Sequence, residues 1–532
     1  MTNEGSTWRR WGGKYALGFV SLAFVSAAVA RTYYVGPDLN WDLLNYHQFM
    51  GFSLSESRVR QDLAPVGVQS FLNPYWNLLS YWVITSFDSP VGSQILLLFQ
   101  ILPAAIVLLI IREIDLSVVG YFPSPGAVLA FCICLLSPVW WSEFGTSFFS
   151  SSTATFVLLS LYLAIFATGE RPRHTALMAW FMSGFLLALS CQLKLTNVVF
   201  GPGVVLIVGL VALHKNGRPW LPIAAAFAAG SFIGLMALAN WNHFLYARWG
   251  SPIFPFLNNV FQSEFAAQEY FRDGRWKFDS VWEFILFVLH AGNGTKKTLE
   301  IEFTDLRLPI FMFSALASVL AFSIRQAGRP GVGINPEGAF QCLFFFTFFL
   351  SGLAAWAVVF AYHRYLIPIE ILFGVAIWIV LAFALGSRIS VLVLGLLLVV
   401  QLTQFEVPNW GKGDHRGEWG SGRFSVEVPE KYSSSPAFYL VSGFPTGYVM
   451  SFFHPDSRIA RPDFSSPIND RIEKALRARG DLPVRFFSFS SDMNDLRKRA
   501  MAFIGSGLND IEVSCDSFSS VVHDFTVCEM ED

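Results

Sequence analysis

Pro37-Asp38-Leu39-Asn40-Trp41-Asp42-Leu43-Leu44-Asn45-Tyr46-His47-Gln48-Phe49 opens a polar stretch that continues through Glu56, Arg58, Arg60 and Asp62 to Gln69-Ser70-Phe71-Leu72-Asn73-Pro74. It follows directly on the first long apolar run, residues 15–30, in a chain that is otherwise mostly apolar. Arg9, Arg10 and Lys14 precede that run. Positive flanks stay in the cytoplasm, so the N-terminus is expected inside and residues 36–90 are expected to form the first outer loop. Ala28-Val29-Ala30 mimics a signal-peptidase site, and cleavage there would still leave Pro37 onward outside. A carboxylate-bearing loop in that position is not filler. The rest of the chain reads as a frame that holds it over a lipid-lined cavity.

The chain has 532 residues, of which 53% are hydrophobic and 14% charged, with a mean hydropathy of +0.47. Soluble domains carry about 25% charged residues. Apolar runs of roughly 18 or more residues recur, each long enough to cross a bilayer core. The class is a polytopic α-helical membrane protein. A net charge of −2 argues against a nucleic-acid partner. The 54 Phe and 17 Trp suit lipid-facing surfaces and interface belts. Cys132, Cys134, Cys191 and Cys342 lie in apolar runs and read as packed thiols, whereas Cys515 and Cys528 lie in the polar tail.

Residues 71–87 are interrupted by Asn73, Pro74 and Asn77 and read as a helix at the outer surface. Further spans are expected at 91–111, 123–140, 151–168, 176–193, 198–213, 221–243, 308–324, 339–361, 364–386 and 389–405, giving about eleven in all. Arg112, Arg171 with Arg173, Lys215 with Arg218, Arg325 with Arg329, and Arg388 then all fall on the cytoplasmic side. The outer side receives the first loop, residues 142–150, the turn 194–197, the long stretch 246–307 and the corner 362–364. After Phe405 charges become frequent and long apolar runs stop. The chain is thus read as a transmembrane domain, 1–405, and a small extracytoplasmic α/β domain, 406–532. In the tail, 437–441, 484–489 and 511–515 are expected as strands. Residues 469–479 and 495–504 are expected as helices, with Asn469 and Asp495 near their starts as caps.

Asp38 and Asp42 stand four apart, a spacing that places both on one face of a short helix. Partial desolvation of such a carboxylate raises its pKa toward the working pH of a general base. The alternative is a solvated loop with capping aspartates. Arg272, Asp273, Arg275 and Lys277 read as a solvated charged face, and Asn293-Gly294-Thr295 matches a glycosylation sequon. Phosphate-loop, dinucleotide-fingerprint and His-x-x-x-His patterns are absent from the sequence.

Asp42-Leu43-Leu44-Asn45-Tyr46-His47, with Arg60-x-Asp62 and Gln69-Ser70-Phe71-Leu72-Asn73-Pro74, resembles the first outer loop of bacterial GT-C glycosyltransferases. Ser142-Glu143-Phe144-Gly145-Thr146-Ser147 is similar to their acidic second outer loop, and Leu193-Lys194-Leu195-Thr196-Asn197 to a basic turn after the fifth span. Gly250 to Asn258, Asp305-Leu306-Arg307 and His363-Arg364-Tyr365 also look like elements of related membrane proteins. The resemblance covers roughly residues 15–405. One departure is Phe149-Ser150-Ser151-Ser152, which stands where relatives often carry an Asp, and it puts a second acidic or metal-binding role there in doubt.

The resemblance implies an inverting enzyme that moves a hexosyl or pentosyl group from a polyprenyl-phosphate-linked sugar to a glycan, lipid or protein acceptor. Asp42 matches the family's base best, Asp38 second, and Glu143 is the other acidic candidate. No cofactor and no divalent metal is expected beyond the donor substrate and membrane lipids. Lys194, Arg307, His363 and Arg364 are ionisable groups near span ends on the outer face, and suit the donor phosphate. Tyr46, His47, Arg60, Asp62, Gln69 and Asn73 would support the loop or the acceptor. The implied location is the bacterial inner (plasma) membrane, with the C-terminal domain periplasmic or extracellular. A transporter or flippase of lipid-linked sugars is one rival reading, and a non-catalytic cell-envelope assembly subunit is another. Cys515 and Cys528, thirteen apart, are expected either to form a disulfide or to remain two buried thiols on separate strands.

Overall fold

Lipid offers no hydrogen-bond partner, so each apolar run must close its backbone bonds internally. A computed structural model describes residues 4–87, 89–213, 220–269, 273–326, 336–412, 423–462, 466–492, 513–520 and 522–530. The chain begins with α1 (Glu4–Tyr34), then α2 (Gln48–Ser55), α3 (Tyr75–Ser86), α4 (Ser89–Val118), α5 (Pro125–Leu135) and α6 (Pro138–Ser142). Next come α7 (Ser150–Thr168), α8 (Arg173–Leu193), α9 (Gly201–Leu213), α10 (Trp220–Met236) and α11 (Ala239–Trp249). Two shorter helices, α12 (Asn258–Phe261) and α13 (Val281–His290), precede α14 (Arg307–Gln326), α15 (Pro336–Val359), α16 (Ile367–Glu370), α17 (Phe373–Leu385) and α18 (Ser387–Gln404). The protein is an integral membrane protein built mainly of helices.

Among the described residues, five helices are long and apolar enough to cross a membrane, or seven if two bent pairs each count as one span. The pairs are α10 with α11, bent by 60°, and residues 363–370 with α17, bent by 47°. α5 and α9, of 11 and 13 residues, are apolar but shorter than the spans expected there, whereas α14 and α18 run for 20 and 18 residues. α3 has 12 residues, about 18 Å, and is too short to cross alone. α8 and α10 pack at backbone distance. A Cβ on Gly230 would lie 1.8 Å from the Phe181 carbonyl oxygen, and one on Gly184 2.2 Å from that of Phe227. Small residues let membrane helices approach this closely.

The tail contains α19 (Glu430–Ser434), β1 (Phe438–Val441), α20 (Gly447–Met450), β2 (Arg458–Ala460), α21 (Ser466–Arg477), β3 (Val484–Phe489), β4 (Val513–Ser519) and β5 (Asp524–Met530). The sheet order is β2-β1-β3-β5-β4. β1 runs parallel to β2 and β3, and β5 antiparallel to β3 and β4. α21 starts three residues before Asn469, which therefore does not cap it, and the helix expected over 495–504 lies outside the described residues. Cys515 faces Cys528 in the β4–β5 register and the two form a disulfide.

One hydrophobic core joins the loop that follows α1 to the tail. Leu43, Phe49, Val66 and Phe71 are buried in it together with Trp249, Phe254, Tyr448, Met450 and Ile459. Leu63 pairs with Ala460 as an extra parallel bridge on β2. The Arg58 guanidinium bonds Asp62 at 3.1 Å and the Ser457 carbonyl at 2.6 Å, while Asp62 accepts the Ile459 N–H at 2.9 Å. Arg461 returns the contact by donating to the Pro65 carbonyl at 3.1 Å.

Candidate active site

Gly36 takes a left-handed turn, φ 86°, after α1, and the chain runs extended to Asn40. The Asn40 side-chain oxygen accepts the Leu43 N–H at 2.8 Å, which starts a helix. Residues Leu43–His47 are wound as a π-helix, a form often found at functional sites. Asp42 stands at its head. Asp38 lies before the helix, bridged to Lys412, so the two aspartates do not share a helix face as their spacing suggests.

Asp42 is the carboxylate at the centre of a charged cluster. Its Oδ2 meets the Arg364 guanidinium at 2.7 Å, and Tyr46 lies near the same carboxylate. Burial alone would raise the Asp42 pKa, but the charges of Arg364 and Lys194 hold it below the ordinary carboxylate value. The expected upward shift is thus reversed, because a guanidinium is in direct contact. Arg364 is caged by Phe148, Trp410 and Tyr362, whose ring centroids lie 4.0, 5.0 and 5.3 Å away. Its Nε is buried without a partner.

Lys194 donates to Ser150 Oγ and lies over the rings of Tyr365 and Phe149, at 4.8 and 5.1 Å. Burial first, and then the Arg364 charge, push it down to about 7. His47 contacts Ser147 Oγ through Nδ1 at 2.8 Å and keeps a buried, unpartnered Nε2. Burial takes its pKa down to about 3, so the ring is neutral.

The other acidic candidates make structural contacts, though Glu143 keeps a buried, unpartnered Oε1 and its charge acts on Lys194. Asp38 accepts the Ser147 N–H at 2.6 Å and both nitrogens of Asn40. Glu143 Oε2 accepts the Ser151 N–H and hydroxyl, each at 2.7 Å, and so caps α7. Buried Gln100 of α4 fixes the same outer segment, bonding the carbonyls of Thr146 and Phe148 at 2.9 and 3.0 Å and the Gly145 N–H at 2.7 Å.

Arg307 and His363 do not join Lys194 and Arg364. Arg307 is fully buried between Asp305, at 2.6 Å, and Glu370, at 3.0 Å. Glu370 also accepts the Ser137 hydroxyl at 2.6 Å and lies 3.7 Å from His363 Nε2. A guanidinium held by two carboxylates has little charge left for a phosphate. Asp62 docks the tail, Asn73 Oδ1 accepts the Tyr75 N–H at 3.0 Å at the start of α3, Gln69 is half-buried, and Arg60 is exposed. None of these four bonds Asp42. Arg275–Asp273 and Lys277–Asp279 are exposed ion pairs, and Arg272 lies outside the described residues. Among the described residues, no group of three His, Cys, Asp or Glu is placed to hold a metal ion. Sequence reading missed the Trp410 and Phe148 cage, the Ser147 and Ser150 contacts, and Glu370. Only Glu370 carried a signal, as a lone carboxylate inside an apolar run.

No family model and no curated protein matches the chain. Among solved structures, ArnT from Cupriavidus metallidurans bound to undecaprenyl phosphate aligns with a TM-score of 0.56 at 11% identity, over 96% of this chain and 98% of that one. The Archaeoglobus fulgidus oligosaccharyltransferase in its apo form aligns at 0.44 and 13% identity, over 93% of this chain and 72% of that one. The chain thus follows one architecture over nearly its whole length, and it is the GT-C-type fold of the polytopic membrane protein ArnT.

Proposed function

We propose that the protein is a membrane glycosyltransferase that takes a sugar from a polyprenyl-phosphate-linked donor and passes it to an acceptor on the outer face. The observation that carries this reading is the Asp42–Arg364 pair beside Lys194: one carboxylate and two cations, gathered half-buried or buried at one end of the bundle. The bound undecaprenyl phosphate of ArnT supports a donor of that class. In this reading Asp42 takes the proton of the acceptor hydroxyl as its oxygen attacks the anomeric carbon. The bond from that carbon to the phosphate oxygen breaks on the opposite face, with inversion, and the polyprenyl phosphate leaves. Lys194 and the unpartnered Nε of Arg364 meet the charge that builds on the leaving phosphate. As Arg364 turns toward the phosphate its hold on Asp42 weakens, so the carboxylate becomes a better base when the donor is in place. Transfer is expected to persist in EDTA.

Undecaprenyl phosphate added to the protein in nanodiscs is the first test. It should raise the melting temperature of the wild type and of Asp42→Asn, and fail to do so for Lys194→Ala. Equal stabilisation of all three would place the lipid phosphate elsewhere.

A further inference from the structure

A second charged site lies away from Asp42, where the first outer loop, α11 and the tail domain meet. An open groove of about 450 Å³ is lined by Arg60, Leu63, Arg248, Arg458, Arg471 and Lys474, among others. Five of those six are cations, and no carboxylate lines the groove. The volume lies within the range of small-ligand sites.

The cations are held there by the fold. The Arg248 guanidinium donates to the carbonyls of Arg60 at 2.6 Å and Asp62 at 3.3 Å. Its Nε is buried with no partner. Arg471 donates to the Arg248 carbonyl at 2.8 Å and is braced over Phe265, 3.7 Å from the ring centroid. Lys474 follows it by three positions on α21, one face of the helix. Arg458 adds a cation from β2. Among the described residues none of the five cations takes part in an ion pair. The Glu264 carboxylate acts on Arg471 without pairing with it. Asp62 likewise acts on Arg248 without pairing with it through its carboxylate. Among the described residues, three other buried arginines face carboxylates directly: Arg58 faces Asp62, Arg307 faces Asp305 and Glu370, and Arg485 faces Glu529. Like charges gathered without an ion pair cost stability, so a groove that holds five is suited to an anion that offsets them.

We propose that this groove binds an anionic saccharide, one carrying phosphate or carboxylate groups, as the charged part of the acceptor. The guanidinium fork matches both groups bidentately. Tail-domain residues form one wall, and Lys474 is exposed on polar α21, so the groove opens to water rather than to acyl chains. The identification as acceptor rests on the glycosyltransferase reading, whereas the anion site itself does not.

The test uses the full chain in phosphatidylcholine nanodiscs, titrated with an oligogalacturonate and with a neutral malto-oligosaccharide of equal length. Wild type should bind the anionic sugar at least 10-fold more tightly, and the preference should shrink with salt. Arg458→Gln combined with Arg471→Gln and Lys474→Gln should weaken that binding 10-fold or more. Arg471 also braces Phe265, so Arg458→Gln with Lys474→Glu is the second variant, and it should give the same loss with an unchanged melting temperature. Asp42→Asn should bind like wild type, which separates this site from the catalytic reading. Equal affinity for the two sugars, or variants that bind like wild type, would overturn the proposal. So would binding pre-empted by phosphatidylglycerol in the nanodisc, which would assign the groove to a lipid headgroup.

Discussion

Asp42 and Lys194 carry opposite pH consequences. The Asp42 carboxyl is held below its ordinary value, so the ion pair with Arg364 stabilises the fold above the unfolded value near about 4 and is lost as pH falls through the lower folded one. Between pH 5 and 7 Asp42 therefore contributes no titration. Lys194 is pushed down to about 7, so in the free protein its positive charge fades as pH rises past that value. Affinity for undecaprenyl phosphate is expected to fall between pH 6.5 and 8.5 in the wild type and to stay flat in Lys194→Arg, whose guanidinium remains charged. A wild-type affinity independent of pH over that window would remove Lys194 from the phosphate. Asp42→Asn keeps the side chain's size and removes its basicity, so transfer should drop by about 10²-fold or more with expression unchanged. Activity near normal in that variant would end the assignment of the base. Arg307→Ala should act differently, through folding: it strands Glu370 and Asp305 in the interior, a loss of about 3–5 kcal/mol for a broken buried pair. The expected result is a low yield of monodisperse protein by size exclusion, with near-normal donor affinity in what survives.

At the level of elements, the tail reaches the helix beside Asp42 through α20. A Cβ on Gly447 would sit 1.8 Å from the Asn45 carbonyl oxygen, in the middle of the π-helix that begins beside Asp42. Gly447→Ala must push the two apart, and a misplacement of about 1 Å can cost roughly 10²-fold in rate. Transfer should fall by that order while donor binding at Lys194 changes little. Gly395→Ala, where a Cβ meets nothing within 4 Å, is the control. Gly230→Val should break the α8–α10 crossing itself, beyond the about 1–3 kcal/mol of ordinary overpacking, because the obstacle is backbone. The same elements show what sequence could reveal. The polar loop was legible because residues 37–74 interrupt an apolar pattern. That Lys194 and Arg364 are more than snorkelling cations was legible, because a charge at the end of an apolar run needs a partner. The docking of loop on tail was not, since Arg58 and Ser457 are 399 residues apart and no periodicity spans that distance. Nor was the true start of the loop helix, because Asn40, not Asp38, supplies its cap.

On the scale of the whole chain, long-range contacts sort the helix ends into two sets. Asp38, Ser147, Lys194 with Ser150, Arg364 with Asp42, and the tail with the first loop meet at one end of the bundle. Arg171 with Glu113, Ser117 with Gln341, and Gly13 beside Pro123 meet at the other. The chain passes between these ends whenever it moves from one set to the other. Pro123 and Ser147 lie in different sets, so α5 with α6 makes a passage although α5 has only 11 residues. Ser150 and Arg171 require α7 to return, and Lys194 requires α8 to come back. Arg248 bonds the Arg60 carbonyl, so α9 and α10 form a pair that ends at the loop side. His363 N–H reaches the Thr298 carbonyl, which keeps α13 on that side and makes α14 the next passage. α15, α17 and α18 complete the route to Lys412, which is bridged to Asp38. The threading predicts eleven passages, the number read from the apolar runs, with α3, α11 and α13 left at the outer end. Single cysteines at the exposed Ser55, His174 and Arg477 positions test it in intact cells with a membrane-impermeant maleimide. Ser55→Cys and Arg477→Cys should label from outside, and His174→Cys only after permeabilisation. Labelling of His174→Cys from outside would mean that the short α5 does not cross, and the passage it makes between Pro123 and Ser147 would have to be abandoned.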